Sequence, residues 1–341
     1  VTVLGSGTSH GVPMIGCRCP VCTSANPRNR RFRPSIAVES GEQTILVDTT
    51  PELRLQALTF GLARVDAVFL THTHADHIFG LDDLRRFNDL SGREIPVYGD
   101  AASLEDVRRI YRYIFTATQE GGGKPRIALH EMPPAMELHG LRIQAFPVLH
   151  GDLPVLAYRF EDFAYVTDVS QIPPDSWERL RGVHTLILDA VRLSPHATHF
   201  CLSEALEVVR ELRPERAYFT HLSHDFDHDV VNAQLPAGVE LNVVKEQATY
   251  IKNSVKALEE HLVLGSLLAS IIVFLFIRDW RMVLISSIAI PTSIVTTFTV
   301  LRALDYTLNS MTLLGLTLAV GIVIDDAIIV LENIYRFIEE K

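Results

Sequence analysis

The sequence predicts an α/β domain over residues 1–241, a linker or amphipathic helix over 242–261, and an all-α segment of three transmembrane helices over 262–341. Three observations carry this reading. Short β-rich runs alternate with amphipathic stretches in the first part. Of the 14 histidines, all but His261 lie before residue 230. Beyond Leu262, three long stretches contain no Asp, Glu, Lys or Arg. The net charge of -10 averages over two unlike parts, and it excludes little beyond a strongly basic nucleic-acid binder.

The chain opens on "VTVLGSG", a buried strand running into a glycine turn, with no secretory n-region, h-region and cleavage site before it. The first part is therefore expected to be cytoplasmic. Strands follow at "TILVD" (44–48), "AVFLT" (67–71), "FAYVTD" (163–168), "TLILDA" (185–190) and "RAYFTH" (216–221), each apolar and ending near a polar or ionisable residue. Helical patterns fall between them, at about Glu52 to Phe60, Asp82 to Leu90, Leu104 to Phe115 and Ser203 to Leu212. In such layouts functional side chains collect at the carboxyl ends of strands. From Val243 to about Glu260 the pattern is polar and helical. The uncharged stretches Leu262 to Ile277, Met282 to Leu301 and Tyr306 to Ile324 then predict spans at about 258–277, 282–303 and 308–331, near the ~20 residues of a bilayer crossing. Pro291 is tolerable in a membrane helix. Arg278, Arg281, Arg336 and Lys341 flank the spans and place those flanks on the cytoplasmic side of the inner membrane. The absence of an initiating methionine and the final helical "YRFIEEK" lead us to expect truncation at one or both ends.

The densest chemistry lies in "FLTHTHADHIFG" (69–80). On a loop after a strand, His72 and His74 can turn toward one cation while Asp76 and His77 turn toward a second. Imidazole and carboxylate suit Zn, Fe or Mn. Three of the four cysteines, Cys17, Cys19 and Cys22, fall in "GCRCPVC", too few and too close for a disulfide framework. Three thiolates on one loop leave a tetrahedral zinc one ligand short, and His224 can close it. Cys201 reads as a buried small residue. "SPHATHFCLSEAL" offers His196 and His199 as proton donors before a helix, since histidine titrates near neutrality. The stretch "NPRNRRFRP" (26–34) is basic enough to hold a phosphate or to be a solvated loop.

The H-x-H-x-D-H pattern after a strand resembles the metallo-β-lactamase superfamily. That resemblance implies an αββα sandwich and further ligands in chain order, which His150 in "FPVLHGD", Asp168 in "AYVTDVS" and His221 in "YFTHLSH" supply. It assigns His72, His74 and His150 to one metal, Asp76, His77 and His221 to the other, and Asp168 to both. Asp76 is the residue that argues for two metals. The expected chemistry is attack by a hydroxide bridging two divalent ions, Zn or Mn, on a phosphoryl or carbonyl centre. "GSGTSHGVP", "GCRCPVC", "THTHADHIFGLDDLR" and "THLSHD" together closely resemble the phosphodiesterases of this fold related to phosphoribosyl 1,2-cyclic phosphate phosphodiesterase, whose core is similar to that of ribonuclease Z. This implies a small cyclic phosphodiester substrate, one structural zinc on the Cys3His set, and His199, ahead of His196, as general acid. A thioesterase or lactonase activity is the alternative within the superfamily. A homodimer is a further expected assembly, and nucleic acid is not an expected partner.

From about residue 242 the sequence is similar to the second to fourth transmembrane helices of a resistance-nodulation-division efflux permease. Asp325 and Asp326 fall where that family keeps its proton-relay pair, and carboxylates inside an apolar helix are costly enough to imply function. The relay lysine on a later helix and the periplasmic domains of such a pump are missing, so the fragment is expected to bind membrane lipid without transporting. The alternative is a proton-coupled transporter carrying an accessory hydrolase.

Overall fold

Side-chain alternation along the strands sets the architecture. In the computed structural model, which describes residues 1–117 and 123–234 and scattered helical positions between Trp280 and Phe337, the chain divides into two units, Val1–Lys245 and Glu246–Lys341. In β2 (Ser35–Ser40) and β3 (Gln43–Val47), Ile36, Val38, Ile45 and Val47 share one face while Ala37 and Leu46 take the other, and all six are buried. In β10 (Phe163–Val166) and β11 (Thr185–Asp189), Phe163, Tyr165 and Ile187 oppose Ala164, Val166, Leu186 and Leu188, again all buried. Strands apolar on both faces must be covered twice.

The coverage is of two kinds. Ile36, Val38, Ile45 and Val47 meet Tyr158, Phe163, Tyr165 and Ile187 in one core between the two sheets. Ala37 and Leu46 instead pack with Leu53 of α1 (Leu53–Phe60), Leu84 of α3 (Leu84–Ser91) and Val107 of α4 (Ala101–Ile110). Ala164, Val166, Leu186 and Leu188 pack with Leu180 of α6 (Pro174–Leu180) and Ala205 and Val208 of α7 (Leu202–Leu212). The result is the four-layer αββα sandwich expected of the first part.

The first sheet runs β1 (Thr2–Gly5), β2, β3, β4 (Ala67–Phe69), β5 (Ile95–Gly99), β6 (Ile127–Glu131) in spatial order. The second runs β12 (Arg216–Thr220), β11, β10, β9 (Leu153–Phe160), β8 (Leu141–His150), β7 (Ala135–Leu138). Strands β3 to β6 are parallel, as are β10 to β12. Because β8 and β10 are both antiparallel to β9, they point the same way, so the carboxyl ends of β8, β10, β11 and β12 share one edge. That edge carries His150, Asp168, Asp189 and His221.

Two helices depart from the sequence pattern. The helix expected at Leu104 to Phe115 begins at Ala101, because the Asp100 carboxylate accepts the Ser103 N–H at 2.7 Å as an N-cap. It then breaks at Tyr111, whose hydroxyl donates to the Ile78 carbonyl at 2.8 Å, leaving Arg112–Phe115 as a separate α5. The helix expected from Asp82 starts instead as a 3-10 turn, Leu81–Asp83, and becomes α3 at Leu84.

The inner-membrane placement of the second part is corrected. Among the described residues no helix is long and apolar enough to cross a membrane. A crossing needs about 20 consecutive apolar helical residues, and the described positions beyond residue 234 are scattered. The three expected spans, apart from those scattered positions, and Asp325 and Asp326 with them, lie outside the described residues.

Candidate metal centre

The loop after β4 is built around a tight backbone. His77 and Ile78 belong to α2 (Ala75–Ile78), a single turn whose N-cap is His74. The Thr49 N–H donates to the His77 carbonyl at 2.6 Å, and the Gly80 N–H donates to the Thr49 carbonyl at 2.9 Å, so the loop is clamped to the end of β3. A Cβ at Gly80 would lie 1.9 Å from the Thr50 carbonyl oxygen, which is why the motif ends in glycine. Three strand-end residues of the site, Asp48, Asp168 and His221, take positive φ values of 64°, 52° and 60°. Non-glycine residues enter that region at a cost of order 1–3 kcal/mol each, and such outliers cluster at functional sites.

Proton counting fixes how the imidazoles face. The Asp48 carboxylate is fully buried and accepts from Thr71 N–H, Thr71 Oγ1–H and His77 Nδ1–H, each at 2.8 Å. Thr71 has then given its only hydroxyl proton, so its contact with His72 Nδ1 at 3.1 Å is donated by the ring. His150 Nδ1–H donates to the Thr198 carbonyl at 2.7 Å. In all three rings Nδ1 is occupied from outside and Nε2 is turned inward, the arrangement that second-shell partners impose on metal-ligating histidines.

The inward atoms form two groups. Ligand atoms of His72, His74 and His150 lie within 4.8 Å of one another, as do those of Asp76, His77, Asp168 and His221. His77 Nε2 stands 3.3 Å from Asp76 Oδ2 and 3.2 Å from Asp168 Oδ2, while His221 Nε2 stands 3.4 Å from Asp76 Oδ2 and 3.2 Å from Asp168 Oδ1. Yet His72 Nε2, His77 Nε2 and His221 Nε2 are buried without a well-formed hydrogen bond. Buried polar atoms left unpaired in this way need an explanation. Convergence on a cation supplies one, and the nitrogen and carboxylate donors fit a divalent metal.

Charge is tightly coupled here. Burial alone would depress His77 and His221, but the carboxylates beside them prevail: Asp168, Asp76 and Asp48 hold His77 well above its ordinary pKa, and Asp168 and Asp76, with Asp189, push His221 up to about 10. Burial would raise Asp168 and Asp76, yet the same imidazoles hold both well below the usual carboxylate range. His72 and His150 are depressed, chiefly by burial.

His199 sits at the rim of this centre. Its Nδ1–H donates to Asp189 Oδ2 at 2.7 Å, and its ring stacks 4.6 Å from His221 and meets the His150 ring edge-on at 4.5 Å. His196 is a layer further out, 5.0 Å from His199, with Nδ1 accepting from the Thr198 N–H at 3.2 Å. Asp48 and Asp189 are the residues the sequence reading missed. Both end a β-rich run, "TILVD" and "TLILDA", and that placement was the available signal.

The cysteine cluster is separate. Cys17, Cys19 and Cys22 place Sγ 3.2, 3.5 and 3.6 Å from His224 Nδ1. Zn–S near 2.3 Å and Zn–N near 2.0 Å in a tetrahedron require separations of roughly 3.5 Å, so the set fits zinc. The Cys22 N–H holds the Cys19 thiol down at about 6, while burial pushes Cys22 up to about 11. Cys201 is buried at the N-cap of α7. The basic stretch 26–34 turns out to serve the fold: Arg31 donates to the Phe226 carbonyl at 2.8 Å, Arg33 to the Ser9 carbonyl at 2.6 Å and to Glu52, and Arg28 pairs with Asp229.

Comparison with known proteins follows the same division. Residues 43–222, more than half of the chain, match the Beta-lactamase superfamily domain, and residues 228–341 match the AcrB/AcrD/AcrF family. A solved structure of a new diphosphatase from the PhnP family is 43% identical with a TM-score of 0.66, covering 71% of this chain and 92% of that one. The octanoyltransferase of Porphyromonas gingivalis is 35% identical over 227 residues, 65% of this chain. Multidrug resistance protein MdtC of Yersinia enterocolitica is 41% identical over 109 residues, 32% of this chain. The chain spans only 45% of the octanoyltransferase and 11% of the MdtC protein.

Proposed function

Since the chain belongs to the Beta-lactamase superfamily domain family, we propose that it is a metal-dependent hydrolase of small phosphodiesters. One observation carries the reading: two adjacent groups of inward-facing ligands, His72, His74 and His150 in one and Asp76, His77, Asp168 and His221 in the other, are linked by Asp168, which also clusters with His150 and His199, and the buried His199–Asp189 pair stands against them. The 43% identity to a diphosphatase of the PhnP family supports a phosphate ester over an acyl substrate. His72, His74 and His150 would hold one divalent cation, Asp76, His77 and His221 a second, with Asp168 common to both. Zinc or manganese bound there would supply Lewis acidity and a water of lowered pKa.

The remaining work belongs to the chain's own residues. His199 delivers the proton that a departing alkoxide needs. Its Nδ1 is committed to Asp189, so Nε2 is the nitrogen that holds and gives the proton. Asp189 fixes the ring's tautomer and orientation, and Asp48 does the same for His77. His196, partly exposed at the rim, is the substitute donor. Away from this chemistry, Cys17, Cys19, Cys22 and His224 would hold one structural zinc, which pins the N-terminal loop to the segment after β12.

The test is turnover of bis(p-nitrophenyl) phosphate by the full chain loaded with zinc or manganese. Wild-type protein should cleave it, and His74→Ala and Asp168→Ala should each lose nearly all activity together with bound metal. Wild-type rates in either variant would remove the assignment. Hydrolysis of acyl thioesters or lactones with no phosphodiester cleavage would move the reaction to the acyl class.

A further inference from the structure

Two bonds pin the backbone just after Asp168. The Val169 N–H donates to Asp189 Oδ2 at 3.0 Å, and the Val169 carbonyl accepts from the Phe200 N–H at 2.6 Å. With the backbone held there and Asp168 itself at φ 52°, the freedom left to this residue is the rotation of its carboxylate. Thr167 acts on that rotation. Its Oγ1–H donates to Asp168 Oδ2 at 2.7 Å, and both side chains are buried. The two carboxylate oxygens then face different imidazoles, Oδ1 3.2 Å from His221 Nε2 and Oδ2 3.2 Å from His77 Nε2. A carboxylate that ligates a cation is ionised and only accepts, so the proton in the Thr167 bond is the hydroxyl's.

Two residues before Thr167, on β10, stands Tyr165, 1% exposed in the core between the sheets. Phenylalanine would fill that space as well, so the hydroxyl needs a reason. Tyr158 and Tyr111, also buried, direct theirs to backbone carbonyls, of Leu70 at 2.5 Å and of Ile78 at 2.8 Å. The Tyr165 hydroxyl makes no well-formed bond of this kind, and the hydroxyl beside it is that of Thr167. Because Thr167 has given its only proton to Asp168, it can offer Tyr165 nothing but a lone pair. A bond between the two hydroxyls can therefore run only from Tyr165 to Thr167. Successive bonds in a dry setting polarise one another, here toward the carboxylate.

We propose that Thr167 is a positioning residue whose hydroxyl fixes the Asp168 carboxylate so that it serves both cation positions, with Tyr165 supporting Thr167 from the core. The proposal rests on the two-cation part of the proposed function and is independent of the substrate. Without the Thr167 hydroxyl the carboxylate can turn wholly to the first cation bound, and the second is then held more weakly. The test is stepwise zinc binding to the full chain, by competition against chelators of graded affinity. The equivalent held by Cys17, Cys19, Cys22 and His224 is the internal reference. Thr167→Val should lower the weaker of the two affinities at the centre by about 10–100-fold, the usual effect of losing a group that orients a metal ligand. The cysteine equivalent should not move, and Thr167→Ser, which keeps the donor, should restore the lost affinity. General damage to the fold would allow neither. Tyr165→Phe should lower the same affinity by about two- to ten-fold, the size of one net hydrogen bond, and stands as the test on its own should Thr167→Val fail to fold. Added to Thr167→Val it should cost nothing further, because Tyr165 acts through Thr167. An unchanged weaker affinity in either variant, or a loss that Thr167→Ser does not restore, would overturn the proposal while leaving the two-cation centre intact. Uptake of a single zinc at the centre by the wild-type chain would remove the two-cation reading and the positioning role with it.

Discussion

Replacing Asp48 with alanine should cripple a metal centre that Asp48 never touches. Its carboxylate accepts from the Thr71 N–H, the Thr71 hydroxyl and His77 Nδ1–H, each at 2.8 Å and with no solvent access. Removal orphans two buried N–H donors and frees the Thr71 hydroxyl. Each orphaned donor costs about 1–3 kcal/mol. The losses share one residue and partly relax together, so we expect about 3–4 kcal/mol of destabilisation of the folded chain. The functional loss has a separate origin. Without Asp48 the His77 ring can rotate or change tautomer, and removal of such a second-shell partner typically lowers metal affinity or activity by about 10–100-fold. Asp48→Asn keeps the volume and one acceptor, so it should fold better while still losing affinity. The assay is competition for zinc against a chromophoric chelator, run beside thermal unfolding of the metal-free protein. Zinc affinity within two-fold of wild type in a folded Asp48→Asn protein would refute the reasoning.

His199→Ala should slow phosphodiesters with poor alkoxide leaving groups by roughly 10²–10⁴-fold and p-nitrophenyl esters much less, because p-nitrophenolate departs unprotonated; equal loss on both, measured as kcat, would give His199 a binding role. Cys19→Ser should remove one equivalent of zinc and lower the melting temperature, leaving the pH profile of the remaining folded enzyme unchanged; metal analysis and the profile together check it. His77 and His221 have raised pKa values, so their contribution to the metal-free fold is complete below the unfolded value near 6.5 and is lost as pH climbs toward about 10. Metal uptake at neutral pH should therefore release protons, seen as a dependence of the calorimetric binding enthalpy on buffer ionisation enthalpy; no proton release at pH 7 would contradict the assigned charges.

The sandwich was legible where strands are apolar on both faces. "TILVD", "AVFLT", "FAYVTD", "TLILDA" and "RAYFTH" all became strands within two residues of their expected ends. Strands such as β7, with alternate residues exposed, carry a weaker signal and were not singled out. The break at Tyr111 was hidden because neither proline nor glycine marks it in "VRRIYRYIF", and the bond that its hydroxyl makes there, to the Ile78 carbonyl, is remote in sequence. In the site, His72, His74, Asp76 and His77 stand out by crowding within one loop, and the structure gathers His150, Asp168 and His221 around them. Asp48 and Asp189 were visible as strand ends but had no distinguishing neighbour, since an aspartate that orients a histidine looks in sequence like one that caps a turn. The arginines of 26–34 mislead in the opposite direction, because their partners, Phe226, Asp229 and Glu52, lie elsewhere in the chain.

The most direct test of the two-cation centre is anomalous diffraction at the zinc edge from crystals of the zinc-loaded chain. The account predicts two neighbouring peaks, one ringed by His72, His74 and His150 and the other by Asp76, His77 and His221, with Asp168 in contact with both. A single peak at that centre, or zinc confined to the cysteine cluster, would contradict it.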